Sequence, residues 1–282
     1  MNKFRILGKV KIIENDGEKV VLKEKNKSLK ELFDYLKTRD FTAFPDIIGE
    51  KAGSFIYEYL EKQPYEFNIE NEMIKLIASL HYKTTYYKSV SQNKYKEIYN
   101  KLIDNVDYLK EKYTSLIESI DNERYMSPSS YLFARNYSLI MSNLYYIEKE
   151  LNAWYKLVKD KTKERVCVVH NNLKKENFFK GSKLVLTGWD NYLVDTPVLD
   201  IYKLYKNEYN KLDMPSLFRT YSENYSLTNE EIKLFNILIS MPLKIIENQT
   251  EYEKVKSIKE SLEYTYKTSE FVKLGIFNEK KD

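Results

Sequence analysis

Two long helical stretches, residues 93–120 and 128–160, do most to limit what this chain can become. Helices of that length must bury their apolar stripe against neighbours, so a large helical body is required. Their many aromatic residues read as packing for that body rather than as a partner or membrane surface. The second stretch opens on "SPSS", where Ser127 suits the N-cap and Pro128 the first turn. Between the two lies "YMSPSSYLFARN", which offers a helix start and Arg135 as a candidate for burial.

The segments before residue 68 have a different character. "FRILGKVKIIE" is rich in β-branched residues, "NDG" is a turn signal, and "EKVVLKEK" alternates apolar and charged side chains. Two or three antiparallel strands are expected over residues 4–25. "SLKELFDYLKTRD" then sets Leu29, Leu32, Phe33 and Leu36 at helical spacing behind Ser28 as N-cap. "GSFIYEYLEK" reads as a strand opened by Gly53 and closed by Pro64. Further on, "NIENEMIKLIASLHYKT" places Met73, Ile74, Ile77, Ala78 and His81 along one helical face, His81 reading as a packed or capping imidazole. "TNEEIKLFNILI" carries a capping box from Thr228 to Glu231, and the pattern stays helical to about residue 273. A β-rich part over residues 1–60 and a helical part over 61–282 follow.

Composition closes off several function classes. With 43% hydrophobic and 15% aromatic residues the chain is too rich in packing groups for disorder. Lys and Arg number 46 against 42 Asp and Glu, an excess too small to argue for nucleic-acid binding. The single Cys167 sits in the apolar run "VCVV", so neither an internal disulfide nor a cysteine zinc site is expected. His81 and His170 are the only histidines, too few for a multi-histidine metal centre. "LFNILISMPL" at 234–243 is the most apolar window and is shorter than a membrane span, and the N-terminus lacks a signal-peptide core. A soluble, cytoplasmic protein is expected.

The chemistry, if any, concentrates in "VCVVHNNLKKENFFKGSKLVLTGWDNY", residues 166–192. It reads as a strand, a polar loop and a tight hairpin with an acidic residue at its end. That order, with a histidine seven residues before an asparagine, resembles the aminoglycoside phosphotransferase and choline kinase family, including its kinase-like spore-coat branch. The resemblance covers most of the chain, with its specific motifs near residue 23, near residue 58 and over 166–202. It implies an α+β, protein-kinase-like fold of two lobes.

The resemblance also implies site roles. The family's catalytic loop runs His, small residue, Asp, four residues, Asn. "HNNLKKEN" keeps His170, as a structural residue, and Asn177, as a metal ligand, while Asn172 stands at the catalytic aspartate. An amide can orient an acceptor hydroxyl but cannot usefully take its proton, and such general-base help is worth about 10²- to 10⁴-fold. The second carboxylate, a magnesium ligand after the hairpin, has two candidate registers. Counting forward from Asn177 reaches Asp190; counting back from Asp200, which resembles a later structural aspartate, reaches Gly188. The Trp-Asp pair and the tolerance of hairpin turns to insertion favour Gly188 as the vacated position. Lys23 matches the strand lysine that holds phosphates, with Glu31 as its ion-pair partner. The backbone of Glu58, Tyr59 and Leu60 matches the hinge that meets adenine.

The leading expectation is therefore a degenerate kinase that binds a nucleotide, a metabolite or a protein partner with little phosphoryl transfer. Two rivals stand beside it. One is an active ATP- and Mg²⁺-dependent kinase of a small hydroxylated substrate, using Asp190 and Asn177 for the metal. The other is a structural protein of the spore-coat type.

Overall fold

In the computed structural model, residues 3–7, 10–15, 18–51, 53–61, 69–180, 183–246 and 249–278 are described. Gly8, the Asp16–Gly17 turn and Pro64 lie outside them. Two compact units divide the chain: Met1–Tyr86 with Val166–Tyr225, and Tyr87–Arg165 with Ser226–Asp282.

The first unit opens on a five-stranded antiparallel sheet in the order β1-β2-β3-β5-β4. Its strands are β1 (Lys3–Leu7), β2 (Val10–Asn15), β3 (Glu18–Glu24), β4 (Ile47–Lys51) and β5 (Ser54–Glu58). The register lines up Ile12, Val21 and Tyr57 in one cross-strand row and Val10, Lys23 and Phe55 in the next. Because side chains alternate across a strand, both rows face the same side of the sheet.

Helix α1 (Lys27–Thr38) follows β3. Its N-cap is Asn26, whose side chain accepts the Leu29 N–H, and not Ser28, which lies one residue inside the helix and instead bonds the Tyr192 hydroxyl at 2.6 Å. Either residue type can cap; the chain turns helical two residues earlier than the apolar spacing begins. Leu29, Leu32, Phe33 and Leu36 are all buried, and Phe33 stacks on Phe44 with centroids 4.3 Å apart.

Helix α2 (Ile69–Thr84) buries Met73, Ile74, Ile77, Ala78 and His81 as its spacing predicts. Strand β6 (Tyr86–Ser89) follows it. Later in the chain come β7 (Lys163–Val169), the hairpin of β8 (Phe178–Lys180) with β9 (Leu184–Leu186), and β10 (Leu193–Asp195), which pairs antiparallel with β7. Cys167 is buried in β7. Helices α5 (Val198–Glu208) and α6 (Met214–Asn224) complete the unit.

The second unit is built on α3 (Gln92–Asp121) and α4 (Pro128–Val158), joined by α7 (Asn229–Ser240) and α8 (Glu251–Lys273). Ser127 caps α4 through the Ser130 N–H, and Thr228 with Glu231 forms a complete capping box on α7. Tyr113, Phe133, Leu144, Trp154, Ile237 and Ile258 share one core. Arg135, a candidate for burial in the sequence, is exposed on α4: it lies two residues from buried Phe133, off the apolar stripe. Among the described residues no helix is long and apolar enough to cross a membrane.

Candidate functional site

All the motif residues of 166–192 lie in the first unit, and one aspartate organises their loop. Asp200, at the start of α5, is fully buried. Its Oδ2 accepts the His170 backbone N–H at 2.8 Å and its Oδ1 accepts the Asn171 N–H at 2.6 Å. Its Oδ2 also lies 3.1 Å from His81 Nε2, while His81 Nδ1 lies 2.6 Å from the Tyr221 hydroxyl. With Nε2–H donating to the carboxylate, Nδ1 is left to the tyrosine hydroxyl, so both ring nitrogens of His81 are engaged in this buried network. His81 is thus a packed residue inside α2 that ties α2 and α6 to the loop, and its neighbours at Tyr221 and Asp200 could not be read from local sequence.

These bonds fix an unusual turn. Asn171 has φ of 58°, in the left-handed region that asparagine tolerates better than most residues, and its side chain donates to the Asn191 carbonyl at 3.0 Å. The His170 ring packs edge-on to Trp189 at 4.8 Å and its Nε2 reaches the Thr187 carbonyl at 2.9 Å. Burial pushes its pKa below the ordinary histidine value, against the opposing pull of the Asp200 carboxylate. His170 thus packs on Trp189 and donates from Nε2 to the Thr187 carbonyl, which ties the loop to the hairpin end.

The two ends of the loop meet at Asn177. Its side-chain amide donates to the Asn172 carbonyl at 2.7 Å, and its own carbonyl accepts the Thr187 N–H at 2.8 Å. Gly188 follows, with φ of 84°. A Cβ built on Gly188 would stand 3.1 Å from Asn177 Nδ2 and 3.5 Å from Asn172 Nδ2. A side chain at 188 would therefore enter the space in front of both amides, in a backbone conformation where an L residue is strained.

Asp190 goes elsewhere. Its carboxylate forms an ion pair with the Lys23 ammonium, and the lysine side chain is only 19% exposed. Asn177 and Asp190, paired as metal ligands in the sequence reading, thus have hydrogen bonds that lead apart, one into the catalytic-type loop and the other to β3. Glu31, expected as the partner of Lys23, is exposed and makes no ion pair among the described residues. The reason is helical phase: Leu29, Leu32 and Phe33 set the buried face of α1, and Glu31 falls outside it.

Lys23 and Asp190 stand at one end of a cavity of about 400 Å³. Its walls are Val10, Ile12 and Val21 from the sheet, Phe179 from β8, and Thr187, Gly188 and Trp189 from the hairpin end. Tyr57, Glu58, Tyr59 and Leu60 run along it. Burial, helped by the Asp190 charge, raises the Tyr57 pKa and keeps the phenol protonated. The Glu58 carboxylate accepts the Asp46 N–H at 3.2 Å, so it is already engaged. Trp189 closes the floor: it is buried, donates from Nε1 to the Leu186 carbonyl at 2.6 Å, and meets Phe33 and Phe41 edge-on.

The sequence matches no protein-family model and no curated protein. Solved structures are more informative. An aminoglycoside phosphotransferase from Alicyclobacillus acidocaldarius aligns over 96% of this chain and 90% of its own, with a TM-score of 0.69 at 10% identity. This chain has the aminoglycoside phosphotransferase fold. The AMP-bound spectinomycin phosphotransferase APH(9)-Ia aligns over 95% of this chain and 92% of its own, with a TM-score of 0.52 at 13% identity. An aminoglycoside phosphotransferase fold accounts for the order found here: a five-stranded sheet with one helix, a polar loop after β7, and a short hairpin. The α+β, two-lobed expectation is met at the level of the fold.

Proposed function

We propose that this protein is a degenerate kinase-fold binding protein that takes an adenine nucleotide or nucleoside in the cavity beside Lys23, with little phosphoryl transfer. The observation that carries the reading is the pairing at the end of the hairpin. Gly188 faces Asn177, and the Asp190 carboxylate, two residues on, is held by Lys23. In kinases of this fold two carboxylates do the work at these positions, one orienting the acceptor and one holding magnesium. Here Asn172 and Gly188 stand in their places.

The residues present do not fit magnesium. Mg²⁺ is usually held through one or two carboxylates together with substrate phosphates. The space a side chain at Gly188 would fill is faced by the amides of Asn177 and Asn172, and no group of three or more acidic, histidine or cysteine residues gathers into a metal site among the described residues. The base end fits better. The cavity volume is within the range of about 300–1,000 Å³ typical of ligand pockets, and its sheet-side wall is aliphatic. The aligned spectinomycin phosphotransferase carries AMP, which makes adenine compounds the first ligands to try.

Turnover is the direct test. Incubated with ATP, Mg²⁺ and a panel of small alcohols, the protein should release ADP no faster than a magnesium-free control. A magnesium-dependent rate of about 1 s⁻¹, the lower end of ordinary kinase turnover, would overturn the proposal.

A further inference from the structure

We infer that the cavity selects a purine nucleoside lacking a phosphate chain, and that the Lys23–Asp190 pair is what excludes the nucleotide. The inference rests on the reading that an adenine-like base enters this cavity. Its warrant is the charge of the lining. Among the described residues that line the cavity, Lys23 is the one cation, against two carboxylates, Glu58 and Asp190. The cation is already spent on Asp190. Lys175, in the polar loop, donates to Glu70 at 2.5 Å and does not line the cavity.

A phosphate chain arriving here has two routes, and both are unfavourable. If Lys23 keeps Asp190, the phosphates meet no second lining cation among the described residues. If Lys23 releases Asp190 to bind phosphate, the carboxylate is left uncompensated beside a second anion, in a site that screens charge less well than bulk water. Magnesium, the usual remedy, has no carboxylate set to hold it at Asn177. A ribose hydroxyl has neither problem. It can donate to a carboxylate and accept from an ammonium, so it can bridge the ion pair without breaking it. The rest of the lining suits a neutral flat ring: Val10, Ile12 and Val21 from the sheet, with Phe179 from β8.

Titration calorimetry of the full chain with adenosine, AMP and metal-free ATP separates these possibilities. Adenosine should bind at least about tenfold more tightly than ATP, with AMP between them. Asp190→Asn frees the Lys23 ammonium and should bring ATP to within about threefold of adenosine. Val21→Trp, which fills the cavity from β3, should abolish adenosine binding. ATP binding as tightly as adenosine to the unaltered protein would sink the inference while leaving the adenine-binding reading intact. An unchanged preference in Asp190→Asn would also sink it, as would adenosine binding that survives Val21→Trp. If none of the three ligands binds, the inference and the reading beneath it fall together.

Discussion

Asp200→Ala should cost about 3–5 kcal/mol of folding stability, as expected when a buried acceptor shared by three donors is removed. The site justifies the upper part of the scale of single substitutions. Asp200 is fully buried and accepts from the His170 and Asn171 amides while facing His81 Nε2. Removing the carboxylate strands three donors in the core, each carrying a desolvation penalty. It also releases the left-handed turn at Asn171, which those bonds hold in place. Asp200→Asn keeps one acceptor oxygen and should lose less. Urea denaturation monitored by circular dichroism measures both; a loss below about 1 kcal/mol for the alanine variant would show that the loop is held by something else.

Trp189→Ala should be similarly severe, about 3–5 kcal/mol, the usual range for truncating a buried large aromatic. The ring is 2% exposed and packs edge-on against Phe33, Phe41 and His170. Part of the loss is transfer free energy, part the void left under α1, and part the aromatic pairs, each worth about 0.5–1.5 kcal/mol beyond area. The freed Leu186 carbonyl adds to it. Because Trp189 is also the cavity floor, adenosine binding should weaken in the same variant. A stable variant, within about 1 kcal/mol of the parent in denaturant, would mean that the hairpin end is not anchored by this side chain.

How much of this was legible in the sequence depends on how far each feature reaches along the chain. Caps at Ser127 and Thr228 are local, set by bonds three residues away, and the sequence reading located both. The alternation that sets Lys23 and Val21 on one face of β3 is equally local. Strands β4 and β10 were missed because each is short and partly exposed, with no run of alternation to reveal it. Asn26 was passed over for Ser28 because both are good caps, and the choice was decided by the path of the chain out of β3.

The site divides along the same line. Asn172 at the base position is visible in the spacing from His170, since that loop is continuous in sequence. The register at Gly188 is only favoured by the sequence, because counting from Asn177 and counting from Asp200 disagree across a hairpin. A Cβ at Gly188 would point toward Asn177, a direction that no count along the chain reveals. Glu31 was assigned to Lys23 by analogy, whereas the ion pair joins residues separated by 167 positions. Nothing periodic marks Asp190 as that partner, nor His81 and Tyr221 as partners in the Asp200 network.

The central claim, that a kinase fold here has lost its metal-dependent chemistry, is tested most directly by thermal melting with ATP, with and without Mg²⁺. Ligand that binds only the native state raises the melting temperature by an amount that grows with the logarithm of its concentration over its Kd, so metal dependence is read as a difference between two curves. The account predicts that Mg²⁺ adds no more than about one degree to the ATP curve, since neither Asn177 nor Gly188 offers it a carboxylate. A shift of several degrees that appears only when Mg²⁺ is present would contradict it.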